Sequence, residues 1–174
     1  RGSDVNVTII RPRASKPLDF TITRDNIPLY SVDVAFMVTK EIGYIKINQF
    51  ARNTLDEFIT AAGKLKSSGM KKIIIDLRGN GGGYLEAAIN MADQFLEEGK
   101  NIVYTIGRSK KKEDVTLATS SGIMENEEVA VLIDEYSASA SEILAGAIQD
   151  NDRGIIIGRR SFGKGLVQKP VILN

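Results

Sequence analysis

The 174-residue chain contains no histidine and no cysteine. The first absence removes every serine or cysteine mechanism built on an imidazole base, together with the commonest metal-ligating side chain. The second removes thiol nucleophiles, disulfides and thiolate metal sites. A hydrolase of this composition must use lysine or a carboxylate as its base. Zero cysteines do not fix a redox compartment, since a reducing cytosol and an export route both accommodate none. Net charge is nearly absent as well: 23 Lys+Arg against 22 Asp+Glu leave +1, so no global field steers the chain to nucleic acid or acidic membranes. No apolar stretch approaches the ~20 residues that cross a bilayer, and Arg1-Gly2-Ser3-Asp4 lacks the apolar centre of a signal peptide. What remains, 43% hydrophobic and 26% charged residues, is the composition of a globular domain with a real core.

The patterning gives the class. Val5-Asn6-Val7-Thr8-Ile9-Ile10 and Leu18-Asp19-Phe20-Thr21-Ile22-Thr23 alternate and are rich in β-branched residues, which predicts two short strands. Residues 35–38 and 44–47 read as a hairpin joined by Lys40-Glu41-Ile42-Gly43. Asn53 is placed to cap a helix over 54–68, with Leu55, Phe58, Ile59, Ala62 and Leu65 at helical spacing and Gly69 as the stop. Ile73-Ile74-Ile75 is a continuous apolar run suited to a strand covered on both faces. A Gly-rich loop and a helix over about 85–97, closed by Gly99, follow it. Residues 101–105 read as a third core strand, 108–114 as a charged solvated loop, 129–133 as a buried strand, 140–150 as a helix and 155–157 as the next strand. Strands alternating with helices define an α/β fold with a largely parallel sheet flanked by helices, preceded by a β-rich lead-in.

Three segments carry candidate chemistry. Gly79-Asn80-Gly81-Gly82-Gly83 lies between a strand and a helix; it is either a tight turn or a loop whose N–H groups converge on an anion or a developing oxyanion. In Tyr136-Ser137-Ala138-Ser139-Ala140-Ser141-Glu142, Ser139 and Glu142 fit a capping box, while a hydroxyl at a strand-to-helix elbow is also where a nucleophile is exposed. Gly158-Arg159-Arg160-Ser161-Phe162-Gly163-Lys164-Gly165 imitates a phosphate-binding loop, but Gly165 stands where Ser or Thr would hold Mg²⁺, and Leu166–Ile172 is β-leaning and carries Pro170. Lys164 is then either a surface lysine in a glycine loop or an amine desolvated so that it becomes a base. Gln168, four residues on, falls on the same side in a strand or a helical turn.

Ile73–Asp76 with Leu77-Arg78-Gly79-Asn80-Gly81-Gly82-Gly83, Ser137–Ile143, and Ser161-Phe162-Gly163-Lys164-Gly165-Leu166-Val167-Gln168, in that order, resemble the C-terminal processing peptidases, or tail-specific proteases. These are serine–lysine endopeptidases, and the resemblance covers roughly three quarters of the chain. It implies a core similar to the Clp-protease and crotonase fold, with Ser139 as nucleophile, Lys164 as general base and Gln168 positioning Lys164. It further implies an oxyanion site from the Ala140 N–H and an N–H of the Gly81–Gly83 turn, with Gly81 and Gly82 named as candidates. No metal or organic cofactor is expected. The implied partners are polypeptides with exposed C-terminal tails, with no nucleic acid, and the implied address is the bacterial periplasm or cell surface.

The family usually carries a PDZ domain. Residues 1–32 are expected to be the end of a truncated PDZ-like domain and a β linker, and 33–174 a peptidase core shortened at its C-terminus, which implies that this chain by itself lacks its substrate-capturing module and activity. Two rivals stand beside this reading. A crotonase-like acyl-CoA enzyme would use the glycine N–H groups without Ser139, and a non-catalytic peptide-binding module would use Ser139 only as a cap.

Overall fold

The computed structural model describes residues 1–26, 30–120 and 122–168. The two alternating segments at the start form β1 (Asp4–Ile9) and β2 (Leu18–Thr23), an antiparallel pair with Val7 opposite Phe20. The expected hairpin is present as β3 (Val32–Met37) and β4 (Ile42–Ile47). It is followed by α1 (Thr54–Ser67), β5 (Lys72–Asp76), α2 (Leu85–Asp93), β6 (Asn101–Ile106), β7 (Lys112–Leu117), β8 (Glu128–Ile133), α3 (Ala140–Asp150) and β9 (Gly154–Gly158).

The central sheet has the order β3-β4-β5-β8-β9; β4, β5, β8 and β9 are parallel and β3 closes one edge antiparallel. Register follows the apolar alternation, since Ile45, Ile75, Val131 and Ile156 sit side by side. That row faces the helices: Phe58, Ala62 and Leu65 of α1, Ala88 and Met91 of α2, and Leu144 and Ile148 of α3 join it in one core. Phe58 meets Phe95 with ring centroids 5.6 Å apart. At roughly 25 cal/mol per Å² of apolar surface removed from water, this contiguous layer is the dominant stabilising contact of the fold.

Five expectations are corrected. Ile73 and Ile75 are buried, but Ile74 between them is only half-buried and Ile155 and Ile157 are exposed, so these runs are covered by helices on one face only. A run of isoleucines hides the alternation that would have revealed this. β6 contributes Ile102 to the core but is not a strand of the central sheet; it pairs antiparallel with β7 as a separate two-stranded sheet packed against α2 and α3. The charged segment 108–114 is a loop only in its first part, because β7 starts at Lys112, whose ammonium lies 4.0 Å from the centre of the Tyr104 ring. An exposed strand tolerates charge on its open face, so composition read it as loop. α2 ends at Asp93 instead of running to 97. Gln94 and Phe95 donate to carbonyls three residues back, and Arg153 Nε donates to the Phe95 carbonyl at 2.7 Å. The β tendency of 166–172 produces no strand over 166–168, and the rest of that stretch lies outside the described residues.

Candidate active site

The glycine loop leaves the end of β5 and is fastened at both ends. Asp76 is 1% exposed and accepts from the Arg78 amide (2.9 Å), Arg78 Nε (3.0 Å), Arg78 Nη2 (2.7 Å) and the Tyr44 hydroxyl (2.6 Å). Burial pushes this carboxyl up, but those hydrogen bonds and nearby Lys46 outweigh it and hold the group well below the usual carboxylate range. Asn80, fully buried, joins three segments. Its Nδ2 donates to the Ile47 carbonyl (2.9 Å), its Oδ1 accepts from the Gly82 amide (2.9 Å), and its own carbonyl accepts from Ala138 N (3.1 Å) and Ser141 Oγ (2.9 Å). Asp134, after β8, accepts from the amides of Gly79 (2.9 Å), Tyr136 (3.0 Å) and Ser137 (3.1 Å). The glycine loop and the serine turn are therefore one unit.

That unit sorts the three serines. Ser137 and Ser141 are buried, and their hydroxyls donate to the carbonyls of Leu77 (2.9 Å) and Asn80 (2.9 Å). Ser139 is only half-buried and takes the N-cap position of α3 at φ 56°, ψ −111°. A non-glycine residue in that region carries roughly 1–3 kcal/mol of strain and persists only where its surroundings over-determine it. Here the neighbouring serines do so. The capping partner expected from sequence is present too, with the Ser139 amide donating to Glu142 Oε2 at 2.8 Å.

Ser139, Lys164 and Gln168 all line one cleft of about 630 Å³, together with Gly83, Leu85, Ile89, Val103 and Ile143. Its walls are α2, the N-terminal turn of α3, β6 and the segment 164–168. Two details bear on the alternatives left open by the sequence. Lys164 is exposed, so its amine does not sit in a closed apolar niche, and Gln168 reaches the same cleft from a segment with neither helix nor strand. Of the two glycines named for an oxyanion site, Gly82 has its amide committed to Asn80 Oδ1 and Gly81 is not among the residues lining the cleft; Gly83, the last of the turn, does line it. Among the described residues no cluster of three or more carboxylates is placed to hold a metal ion, and no helix is long and apolar enough to cross a membrane.

Sequence reasoning missed Asn80, Asp134 and Asp76 as the fasteners of this unit. The signal available was a polar residue beside each turn glycine or serine; its partner could not be read without the fold.

The sequence profile of Peptidase family S41 matches residues 41–174. The chain belongs to peptidase family S41. It is 41% identical over 173 residues to the carboxy-terminal-processing protease of Bartonella bacilliformis, covering 96% of this chain and 39% of that protein. It is 36% identical over 170 residues to the carboxyl-terminal-processing protease of a Picosynechococcus strain, covering 97% of this chain and 40% of that protein. The photosystem II D1 C-terminal processing protease superposes with a TM-score of 0.74 at 31% identity, over 97% of this chain and 46% of that one. This S41 chain thus spans about 40% of the length of those two curated relatives.

Proposed function

We propose that this S41 chain carries the catalytic centre of a serine endopeptidase that uses Lys164 as its base and acts on polypeptides with exposed C-terminal tails. The supporting observation is that Ser139, alone among the three serines of its turn in having its hydroxyl outside the buried network, lines the same cleft as Lys164 and Gln168. The substrate class is extended from the names of the relatives, which are C-terminal processing proteases.

In this reading neutral Lys164 takes the Ser139 proton, the alkoxide attacks a peptide carbonyl, and the resulting lysinium protonates the departing amine. Water, deprotonated by the same amine, releases the acyl group. The tetrahedral oxyanion is met by the Ala140 N–H at the head of α3 and by an N–H of the glycine turn; the lining of the cleft favours Gly83 over Gly81. An amine that is exposed in the unliganded chain becomes an effective base when a bound peptide strand covers it and displaces water. Gln168 orients the amine. Residues 1–32 are read as the end of a PDZ-like module, and the setting as periplasmic or cell-surface.

The test is cleavage of C-terminally tagged peptides by the full polypeptide that carries this chain. Ser139→Ala and Lys164→Ala are expected to abolish cleavage while leaving the melting temperature within a few degrees. Normal turnover by either variant would remove the assignment. Acyl-CoA turnover independent of Ser139 would install the crotonase-like rival in its place.

A further inference from the structure

The mechanism above makes no use of Glu142, one turn into α3. Its carboxylate nonetheless accepts four hydrogen bonds. Oε2 takes the amides of Ser139 (2.8 Å) and Lys164 (2.9 Å), while Oε1 takes the Ser161 hydroxyl (2.8 Å) and the Gly163 amide (2.6 Å). A capping-box glutamate ordinarily receives one of these, the N-cap amide. The other three come from 19 to 22 residues further along the chain, out of a segment with neither helix nor strand.

We propose that Glu142 is a positioning residue for the Ser139–Lys164 pair, its carboxylate fixing the spacing and register between the two backbones. The inference rests on the endopeptidase reading of that pair. The geometry that carries it is the sharing of a single atom: two amides bonded to Oε2 separate only by the slack of two hydrogen bonds. The bond runs to the main chain of Lys164, so the carboxylate orders the lysine's backbone while the side chain reaches the cleft. Besides Glu142, the segment is tied by Phe162 N to the Ser137 carbonyl (3.0 Å) and by Arg159 N to the Ile133 carbonyl (3.2 Å). Both ties lie upstream of Lys164.

The chemistry of the acceptor matters. A carboxylate is acceptor-only and meets four donors without conflict, and its bonds to N–H groups are short and charge-assisted. A glutamine of the same shape presents an NH₂ to two of those donors and repels them. A carboxylate in the first turn also suits the helix dipole.

The experiment uses the full polypeptide, with peptide cleavage and fluorophosphonate labelling of Ser139 as readouts. Glu142→Gln is expected to lower kcat by about 100-fold, the cost of an ångström-scale misplacement, with KM changed by less than about 3-fold. Labelling of Ser139 should reach the wild-type endpoint at a correspondingly slower rate, which separates misplacement from a smaller folded fraction. Ser161→Ala removes one donor and leaves the carboxylate in place; it should lose only about 3- to 10-fold in kcat, and it keeps the test alive if Glu142→Gln fails to fold. Wild-type kcat in Glu142→Gln overturns the proposal, as does a labelling endpoint that falls in proportion to kcat, or a loss confined to KM. For Ser161→Ala alone, an unchanged kcat overturns it. A wild-type protein that neither cleaves nor labels overturns the endopeptidase reading, and this inference with it.

Discussion

Gly82 packs its Cα directly against Ser139. A Cβ built on Gly82 would lie 2.9 Å from Ser139 Cβ, 2.7 Å from the Ala138 carbonyl oxygen and 3.0 Å from the Ala140 amide nitrogen. The residue also holds φ at +101°, where an L side chain is strained in any case. Neither the backbone oxygen nor the N-cap residue can yield cheaply, because both belong to the fastened unit of glycine loop and serine turn.

Gly82→Ala is therefore expected to lower stability by about 2–4 kcal/mol and to abolish cleavage, since relief of the clash must displace Ser139. Gly81→Ala is the control. A Cβ there meets open space, and the variant should keep its melting temperature within a degree or two. Equal melting temperatures for the two alanine variants would contradict the packing.

The three serines of the turn should separate stability from activity. Ser137→Ala leaves the Leu77 carbonyl without its 2.9 Å donor, and Ser141→Ala does the same to the Asn80 carbonyl. Both carbonyls keep a main-chain donor, Asn80 N on Leu77 and Ala138 N on Asn80, so Ser141→Ala should cost about 0.5–1.5 kcal/mol of unfolding free energy, the net worth of one hydrogen bond, whereas Ser137→Ala also strips the Asp134 amide of its Oγ acceptor and should cost about 1–3 kcal/mol. Ser139→Ala removes no buried donor, only the side-chain acceptor of the capping box, and should unfold within about 1 kcal/mol of wild type while losing all cleavage. Urea melts of the three variants, run beside the peptide assay, give the comparison directly. A Ser139→Ala protein destabilised as much as Ser137→Ala would assign Ser139 a structural role.

Part of this site was legible in the sequence. The glycine loop, the serine turn and the Lys164–Gln168 segment announced themselves through residue types that local rules can read: glycines in excess of a turn's need, a capping-box spacing, and a near-miss to a phosphate loop. The central parallel strands were equally plain, because buried β-branched runs have few other uses. The fasteners were not legible. Asp134 acts on Gly79 across 55 positions, and Asn80 acts on Ser141 across 61, so no local pattern relates them. The exposure of Lys164 was left open, since a glycine loop suits a surface lysine as well as a desolvated one. The segment is held by its main chain, through Glu142, while the exposed Lys164 lines the cleft.

Acid should unfold the unit from its carboxylates. Asp76, Asp134 and Glu142 are each pushed up by burial and pulled down further by their hydrogen bonds, so all three sit below their ordinary values of 3.8, 3.8 and 4.5. A carboxyl lowered by folding contributes stability that is complete above its unfolded value and is lost as the pH falls through the lowered one. The melting temperature should be flat between about pH 7 and 5 and fall below about pH 4.5. Asp76→Asn turns an NH₂ toward two of the four donors that the buried carboxylate accepts and should cost about 1–3 kcal/mol at pH 7, a gap that narrows below about pH 4 as the unfolded carboxyl takes up its proton. Thermal melts at pH 7, 5, 4 and 3 on both proteins give the profile. A gap that widens on acidification would reverse the sign of this argument.

In the endopeptidase reading, the walls of the cleft set what it admits beside the scissile bond. Leu85 and Ile89 of α2, Val103 of β6 and Ile143 of α3 line it next to Ser139, with Asp114 and Thr116 of β7 at its edge. Burying an apolar side chain there gains the usual transfer energy, whereas a carboxylate loses its hydration, shares the cleft with Asp114 and pairs with Lys164 only by holding it as the ammonium, which cannot act as a base. Peptides with leucine, valine or alanine before the cleaved bond should be turned over at least about 10-fold better in kcat/KM than the same peptides with aspartate. Leucine, valine and alanine should differ among themselves by about 10- to 200-fold, since a methylene in an apolar pocket is worth about 1–3 kcal/mol. Val103→Lys should invert the charged part of this order, making the aspartate peptide the better of the pair, because the new ammonium lies on the wall that the carboxylate would face. Mass-spectrometric rates on a peptide library test both statements. An aspartate preference in the unmodified protein would show that the side chain before the cut is read elsewhere than on these walls.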